Sequence, residues 1–300
     1  MVARDKGRIA LVVEGGAMRG IFAAGVLDVF LEREFRPFDL ALGVSVGASN
    51  VLAYLAGQRG RTRRWFLAQM SRREFIDPWR FARGGHWLDL DWLWQAIMRQ
   101  DPLDCHAAAS SGVEYALVAT CARTGVPRYL SPGAGDMLDA LKASCALPLL
   151  YRRTIRYRGD DLVDGGISDP LPVREAYRRG ARTIVVVRSR PAGFVKQQSM
   201  ANRFGAWRLR HHPGLARACR TAAASYRDGA SFIASPPDDC RIVHVAPSEP
   251  LATRRTSRDR ASLERDYARG RDHGHEAIAQ YERDRPDAGR PFAVTSLTAS

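Results

Sequence analysis

No apolar run in this chain reaches the roughly 18–20 residues that a helix needs to cross a bilayer. The start does not read as a signal peptide either. The opening MVARDKGRIALVVEGG has an apolar stretch of only about five residues, followed by Glu14 and glycines where a cleavage site would stand. The cysteines, Cys105, Cys121, Cys145, Cys219 and Cys240, are odd in number and widely spaced, with no CxxC pair. That argues against a zinc site or a disulfide framework and reads as reduced, mostly buried thiols. Neither G-x-G-x-x-G nor G-x-x-x-x-G-K-[ST] occurs, which removes the usual nucleotide cradles. Internal repeats, low-complexity tracts and a clear linker are also absent. No metal or cofactor is expected. The expected location is cytoplasmic, with peripheral contact at the inner membrane.

What the chain has in excess is positive charge. The formal net charge is +14, almost all of it from arginine. Such a balance favours polyanions, either nucleic acid or anionic lipid headgroups. No nucleic-acid fold signature accompanies the basic runs, so nucleic acid is not an expected partner.

The apolar pattern predicts a strand at Arg8–Val13, a helix at Gly20–Glu34, a strand at Phe38–Leu42 and a helix at Val46–Gly57. Strand, glycine turn and helix thus occur twice in succession, which argues for a parallel sheet covered by helices and an α/β class. Thr62–Gln100 reads as helical and carries five of the six tryptophans. Strands are predicted at Tyr115–Cys121, Val126–Leu130, Leu162–Val163, Thr183–Val187 and Arg241–Val245. Helices are predicted at Asp136–Cys145, Arg174–Arg179, Phe194–Ile233 (interrupted at Pro213-Gly214) and Arg254–Arg283, with a frayed tail from Pro286.

Gly43-Val44-Ser45-Val46-Gly47 is a G-x-S-x-G between a predicted strand and a predicted helix. In that setting it makes a nucleophile elbow. Gly43 and Gly47 allow the tight turn, and Ser45 is thrown to the sheet edge in front of a helix N-terminus. A serine that attacks a carbonyl needs donors for the oxyanion. The bare turn Gly15-Gly16-Ala17-Met18-Arg19-Gly20 follows the neighbouring strand and can offer backbone N–H groups, with Arg19 adding positive potential.

The serine also needs a base. Of the seven histidines, none has the surroundings of a triad histidine. His244 completes a Ser-Asp-His order but lies inside a predicted strand. Asp164 ends a short strand and is followed by Gly165 and Gly166, which permit a sharp turn at a site. A carboxylate is a weak base at its usual pKa of about 4, and partial burial would strengthen it.

Glu14–Gly20, Gly43–Gly47, Ala143–Pro148 and Asp164–Gly166 with Pro170 stand in the order and spacing of bacterial patatin-like phospholipases, which the chain resembles over about Arg8 to Arg190. The resemblance implies a three-layer α/β/α fold with a mostly parallel sheet, and hydrolysis of lipid acyl esters by a serine–aspartate dyad without histidine. Ser45 would then be the nucleophile and Asp164 the base, with Gly15, Gly16, Ala17 and Arg19 matching the family's oxyanion segment. Ala17 departs from the third glycine usual there. If its φ is positive, alanine is strained by roughly 1–2 kcal/mol.

The chain divides into a catalytic core at residues 8–190, a basic, largely helical part at 191–285 that completes the same domain, and a flexible tail at 286–300. Two stretches suit a lipid interface: Trp79–Trp94, and Arg203–Arg220 with Phe204 and Trp207. The expected partner is a lipid or acyl-ester substrate, with anionic membrane behind it. Two alternatives stand: a histidine-dependent α/β-hydrolase using His244, and a non-enzymatic lipid-binding protein on the same scaffold.

Overall fold

A computed structural model describes residues 7–198, 200–284 and 295–296. Its strands are β1 (Arg8–Val13), β2 (Leu40–Val44), β3 (Glu114–Cys121), β4 (Pro127–Leu130), β5 (Ile155–Tyr157), β6 (Asp160–Asp164), β7 (Ala181–Val187), β8 (Arg241–Val245) and β9 (Thr295–Ser296). They form one sheet in which β3, β2, β1, β7, β8 and β9 run parallel side by side. β4, β5 and β6 join antiparallel at the β3 end.

Alternate residues of the central strands face opposite layers, as the period of two in a strand requires. Leu11 and Val13 of β1, with Val185 and Val187 of β7, pack under Phe22, Val26 and Phe30 of the helix Ile21–Glu32. Ala10, Val12, Ile184 and Val186 face the other way, against Val173 and Ala176 of Val173–Arg178 and Tyr226, Phe232 and Ile233 of Pro213–Ala234. Both faces are therefore buried, which is why these strands read as continuous apolar runs. The result is a mixed α/β architecture of sheet between helices, as expected.

The C-terminal helix Arg260–Arg283 lies on the first of these layers. It approaches Ile21–Glu32 closely enough that a Cβ on Gly274 would meet the Val26 carbonyl oxygen at 3.0 Å. Tyr267 donates its hydroxyl to Asp28 at 2.8 Å across the same contact.

Several elements differ from the sequence reading. Thr62–Gln100 is not one helix. It is broken into Arg61–Trp65, the wider turn Phe66–Met70, Pro78–Ala82 and Leu90–Gln100. Asp77 and Asp89 restart the chain as N-caps, accepting from Trp79 and Trp92 N–H at 2.9 and 3.0 Å. The second strand runs Leu40–Val44 rather than Phe38–Leu42, because pairing continues right up to the elbow. β5 was not anticipated. Its three residues are too few to show a period, and the turn back into β6 uses positive φ at Arg158 and Gly159. The predicted Phe194–Ile233 helix begins at Met200, and Arg254–Arg283 begins at Arg260. The tail from Pro286 lies outside the described residues apart from Thr295–Ser296, which pair with β8.

Candidate active site

The strand registers bring Ser45 and Asp164 together. β3 pairs with β2 through Val44↔Val118 and with β6 through Ala119↔Asp164, while β4 pairs with Leu117–Thr120 throughout. A strand has two edges, and β4 occupies one of them. β2 and β6 therefore meet end to end along the other. The residue after Val44 and the last residue of β6 fall side by side.

Ser45 sits between β2 and the helix Val46–Leu55 with φ 55° and ψ −129°. A non-glycine residue there costs on the order of 1–3 kcal/mol, so the surroundings must hold it. They do so from two sides. Ser45 N–H donates to Ser144 Oγ at 3.0 Å, and Ser144 Oγ in turn donates to the Val118 carbonyl at 2.6 Å. From below, the turn after β1 is pressed against the elbow. A Cβ on Gly15 would stand 2.8 Å from the Val44 carbonyl oxygen and 2.9 Å from Ser45 Cβ. Only glycine fits that approach.

Asp164 is 3 % exposed, and its carboxylate lies beside the Ser45 side chain. It also accepts Gly166 N–H at 2.7 Å. Burial pushes its pKa up to about 6, with the Ser45 hydroxyl, the Gly166 N–H and the charge of Arg255 pulling the other way. Asp164 N–H donates to the Ala146 carbonyl at 3.0 Å. The Ala143–Pro148 segment thus braces both residues: Ser144 holds the serine backbone and Ala146 the aspartate backbone. Reading the sequence marked this segment as a motif but gave Ser144 and Ala146 no task. Nothing local could, because their partners lie on other strands. The Cys145 thiol lies near Ser49 and Ser45, and burial pushes its pKa up.

The predicted oxyanion segment is split by the structure. Met18 N–H donates to the Arg255 carbonyl at 3.3 Å and Arg19 N–H to the Gly16 carbonyl at 3.2 Å, so neither amide is free. Gly20 packs against Val46 at the start of the next helix. Among the described residues no acceptor takes the N–H groups of Gly15, Gly16 or Ala17. Ala17 has φ 50°, so the strain anticipated for alanine is present. Gly43 and Gly47 stand on either side of Ser45, and Gly165 and Gly166 open a short turn after Asp164.

These groups open onto a cavity of about 510 Å³. Its lining includes the apolar side chains Trp65, Phe75, Leu88, Leu93 and Trp94. It also includes Arg19, Arg190, Lys196 and Arg255, which lie close enough to act on one another's charge, with Glu14 and Tyr226. Glu14 is buried and accepts Ser189 N–H at 2.6 Å, which ties the turn after β1 to the end of β7.

His244 takes no part in this arrangement. It lies in β8, separated from β2 by β1 and β7. Its Nε2 is 3.4 Å from Arg188 Nη1, and burial together with that guanidinium pulls the imidazole down to about 3. Among the described residues no group of His, Cys, Asp and Glu side chains could hold a metal ion. No helix among them is long and apolar enough to cross a membrane.

A hydroxyl in a strained elbow beside a desolvated carboxylate, with free amides and an apolar chamber in front, is suited to acyl transfer. A sequence model of a domain of unknown function (DUF6363) matches residues 212–283. An uncharacterized Escherichia coli protein, YjjU, is 41 % identical over 272 residues, covering 88 % of this chain and 75 % of that one. The solved structure of VipD from Legionella pneumophila aligns over 91 % of this chain and 67 % of its own, at 14 % identity and a TM-score of 0.45. The model of the patatin-like phospholipases matches residues 11–177, and the chain belongs to that family.

Proposed function

We propose that the protein is a serine esterase that cleaves acyl esters of lipids through an acyl-Ser45 intermediate, with Asp164 as the base. The observation that carries this reading is the Ser45 side chain set beside the buried Asp164 carboxylate, both lining one mainly apolar cavity. Asp164 accepts the hydroxyl proton as Ser45 Oγ bonds to the ester carbonyl carbon. The oxyanion is met by the free N–H groups of Gly16 and Ala17, in the positive field of Arg19 and of the helix N-terminus at Val46. The C–O bond to the alcohol then breaks, and the leaving oxygen takes the proton from Asp164. Water, losing its proton to the same carboxylate, attacks the acyl carbon. Collapse releases the fatty acid and returns the proton to Ser45.

The alternative with His244 as base lacks support, since that imidazole is paired with a guanidinium and lies away from the elbow. A binding-only role has less behind it than catalysis. A carboxylate with its pKa raised to about 6 beside a hydroxyl is what a general base near neutral pH requires.

The substrate is reached from a lipid surface. Phe204 and Trp207 are each 57 % exposed on the helix Met200–Arg208, with rings 5.6 Å apart and Arg210 over the indole. Apolar rings beside guanidinium groups suit the boundary of an anionic membrane.

A series of p-nitrophenyl esters of increasing chain length tests the chemistry. The parent is expected to turn them over, with Ser45→Ala and Asp164→Asn each reducing kcat/KM by at least about a hundredfold while remaining folded. A parent inert with detergent and lipid present would overturn the reading.

A further inference from the structure

The stretch between β8 and the C-terminal helix Arg260–Arg283 is gripped by two side chains of that helix. Asp266 is 0 % exposed, and its carboxylate accepts Thr253 N–H at 2.7 Å and Ala252 N–H at 3.3 Å. Arg269, one turn further on, donates to the Glu249 carbonyl at 3.1 Å and to the Pro250 carbonyl, and pairs with Asp266. A buried carboxylate is costly unless its lone pairs are filled, and here backbone amides fill them. A tight turn follows, closed by Arg254 N–H to Ser257 Oγ at 2.7 Å and Ser257 N–H to the Arg254 carbonyl at 3.1 Å. Inside that turn stands Arg255. Its carbonyl accepts Met18 N–H at 3.3 Å, and its side chain lines the cavity of Ser45 and Asp164. All of this lies beyond residues 11–177, the segment matched to the family.

The helix that supplies Asp266 has little room to move. A Cβ on Gly25 would run into the Tyr267 carbonyl oxygen, and one on Gly270 into that of Phe22, so Arg260–Arg283 is seated directly on the backbone of Ile21–Glu32. Ile21–Glu32 begins where the oxyanion turn ends. The turn is therefore held at its far end by helix packing and in its middle by the Arg255 carbonyl. The middle bond matters because Ala17, one residue before Met18, has φ 50°, a conformation that persists only where its neighbours hold it. Gly16 and Ala17 are also the residues whose amides the proposed reaction uses. Resting on the esterase reading above, we propose that Asp266 is a positioning residue for the oxyanion turn. Through Ala252 and Thr253 it sets the Arg255 carbonyl against Met18 N–H, and so aims the Gly16 and Ala17 amides at the developing oxyanion. The C-terminal region is thereby a working part of the active site, although Asp266 itself does not line the cavity.

The test uses the full chain, with a water-soluble p-nitrophenyl ester as substrate and an alkyl trifluoromethyl ketone as probe. Ser45 Oγ bonds to the ketone carbon, the hydroxyl proton passes to Asp164, and the ketone oxygen becomes an oxyanion where the ester's would form. Asp266→Ala is expected to lower kcat at least about tenfold with KM within about twofold, and to raise the ketone's inhibition constant by about the factor lost in kcat/KM. Asp266→Asn keeps one acceptor oxygen and should stay within about threefold of the parent in all three. Partial unfolding lowers kcat but leaves the inhibition constant of the surviving enzyme unchanged. A fall in kcat without weaker ketone binding therefore overturns the proposal, as does an alanine variant that matches the parent. Amide hydrogen exchange reads the same contact without turnover. In the parent the Met18 amide should exchange at least about tenfold more slowly than those of Gly16 and Ala17, and Asp266→Ala should abolish that difference. If the alanine variant fails to fold, the parent decides, and a Met18 amide that exchanges as fast as the other two overturns the proposal. A parent that is inert on esters but shows this exchange pattern loses the esterase reading only. An active parent whose alanine variant matches it loses this inference only.

Discussion

The turn after β1 and the turn after β2 leave neighbouring parallel strands at one edge of the sheet, and each holds a non-glycine residue at positive φ, Ala17 at 50° and Ser45 at 55°. The two strains answer different needs. At position 45 the side chain is the proposed nucleophile, so glycine would relieve the backbone and remove that group together. At position 17 the proposed mechanism uses only the N–H, and the methyl group has no part in it. The surroundings differ accordingly. Ser45 is held by Ser144 and by the press of Gly15, whereas the turn at Ala17 is fastened one residue later, through Met18 to the Arg255 carbonyl. Strain is indispensable in the first turn and incidental in the second.

The sharpest way to break this contrast is Ser45→Gly. It should lower kcat/KM for a p-nitrophenyl ester by at least about a thousandfold and raise stability by about 1–2 kcal/mol in a denaturant titration. Unchanged or lower stability would mean that the elbow is not strained in the way its dihedrals state.

Asp164 gives the next effect. Its folded pKa of about 6 lies above the ordinary carboxylate value, so the folded state keeps a proton that the unfolded chain has lost. Stability therefore falls as pH rises from roughly 4 to 6, by on the order of 2–3 kcal/mol, and is flat above. Asp164→Asn should be more stable than the parent at pH 7.5 and match it near pH 4, as followed by thermal unfolding. In the parent, kcat/KM should rise with pH through about 6 and then level. An apparent pKa near 4, or no stability gain in the asparagine variant, would remove the desolvated base.

The smallest effect belongs to Ala17→Gly. Relief of a left-handed alanine is worth about 1–2 kcal/mol, and the extra freedom of glycine in the unfolded chain takes back part of it. A net gain of about 0.5–1 kcal/mol is expected from chemical denaturation. A loss would mean that the methyl group packs usefully, and the two turns would no longer differ in kind.

Much of this molecule was legible in advance, and for a local reason. β1, the elbow and the glycine turns are written in contiguous residues whose spacing maps directly onto strand, turn and helix. The failures have physical causes as well. Trp65 to Trp94 is rich in apolar and helix-tolerant residues, and only the caps at Asp77 and Asp89 reveal where it breaks. Met18 and Arg19 belonged to the oxyanion segment by position, but whether an amide is free depends on what lies opposite. For Met18 that is a carbonyl 237 residues away in sequence, at Arg255.

The sequence by itself determined the class of fold, the strained serine turn and the glycines that let two turns touch, because these follow from sterics within a few residues. Tertiary structure alone decided the rest. The registers of β2 and β6 on one edge of β3 set Ser45 beside Asp164, and burial raised that carboxylate toward neutrality. The C-terminal loop brought Arg255 to Arg19, Arg190 and Lys196. Proximity between distant segments and the dielectric around a charge are properties of the packed chain, and no local pattern of residues contains them.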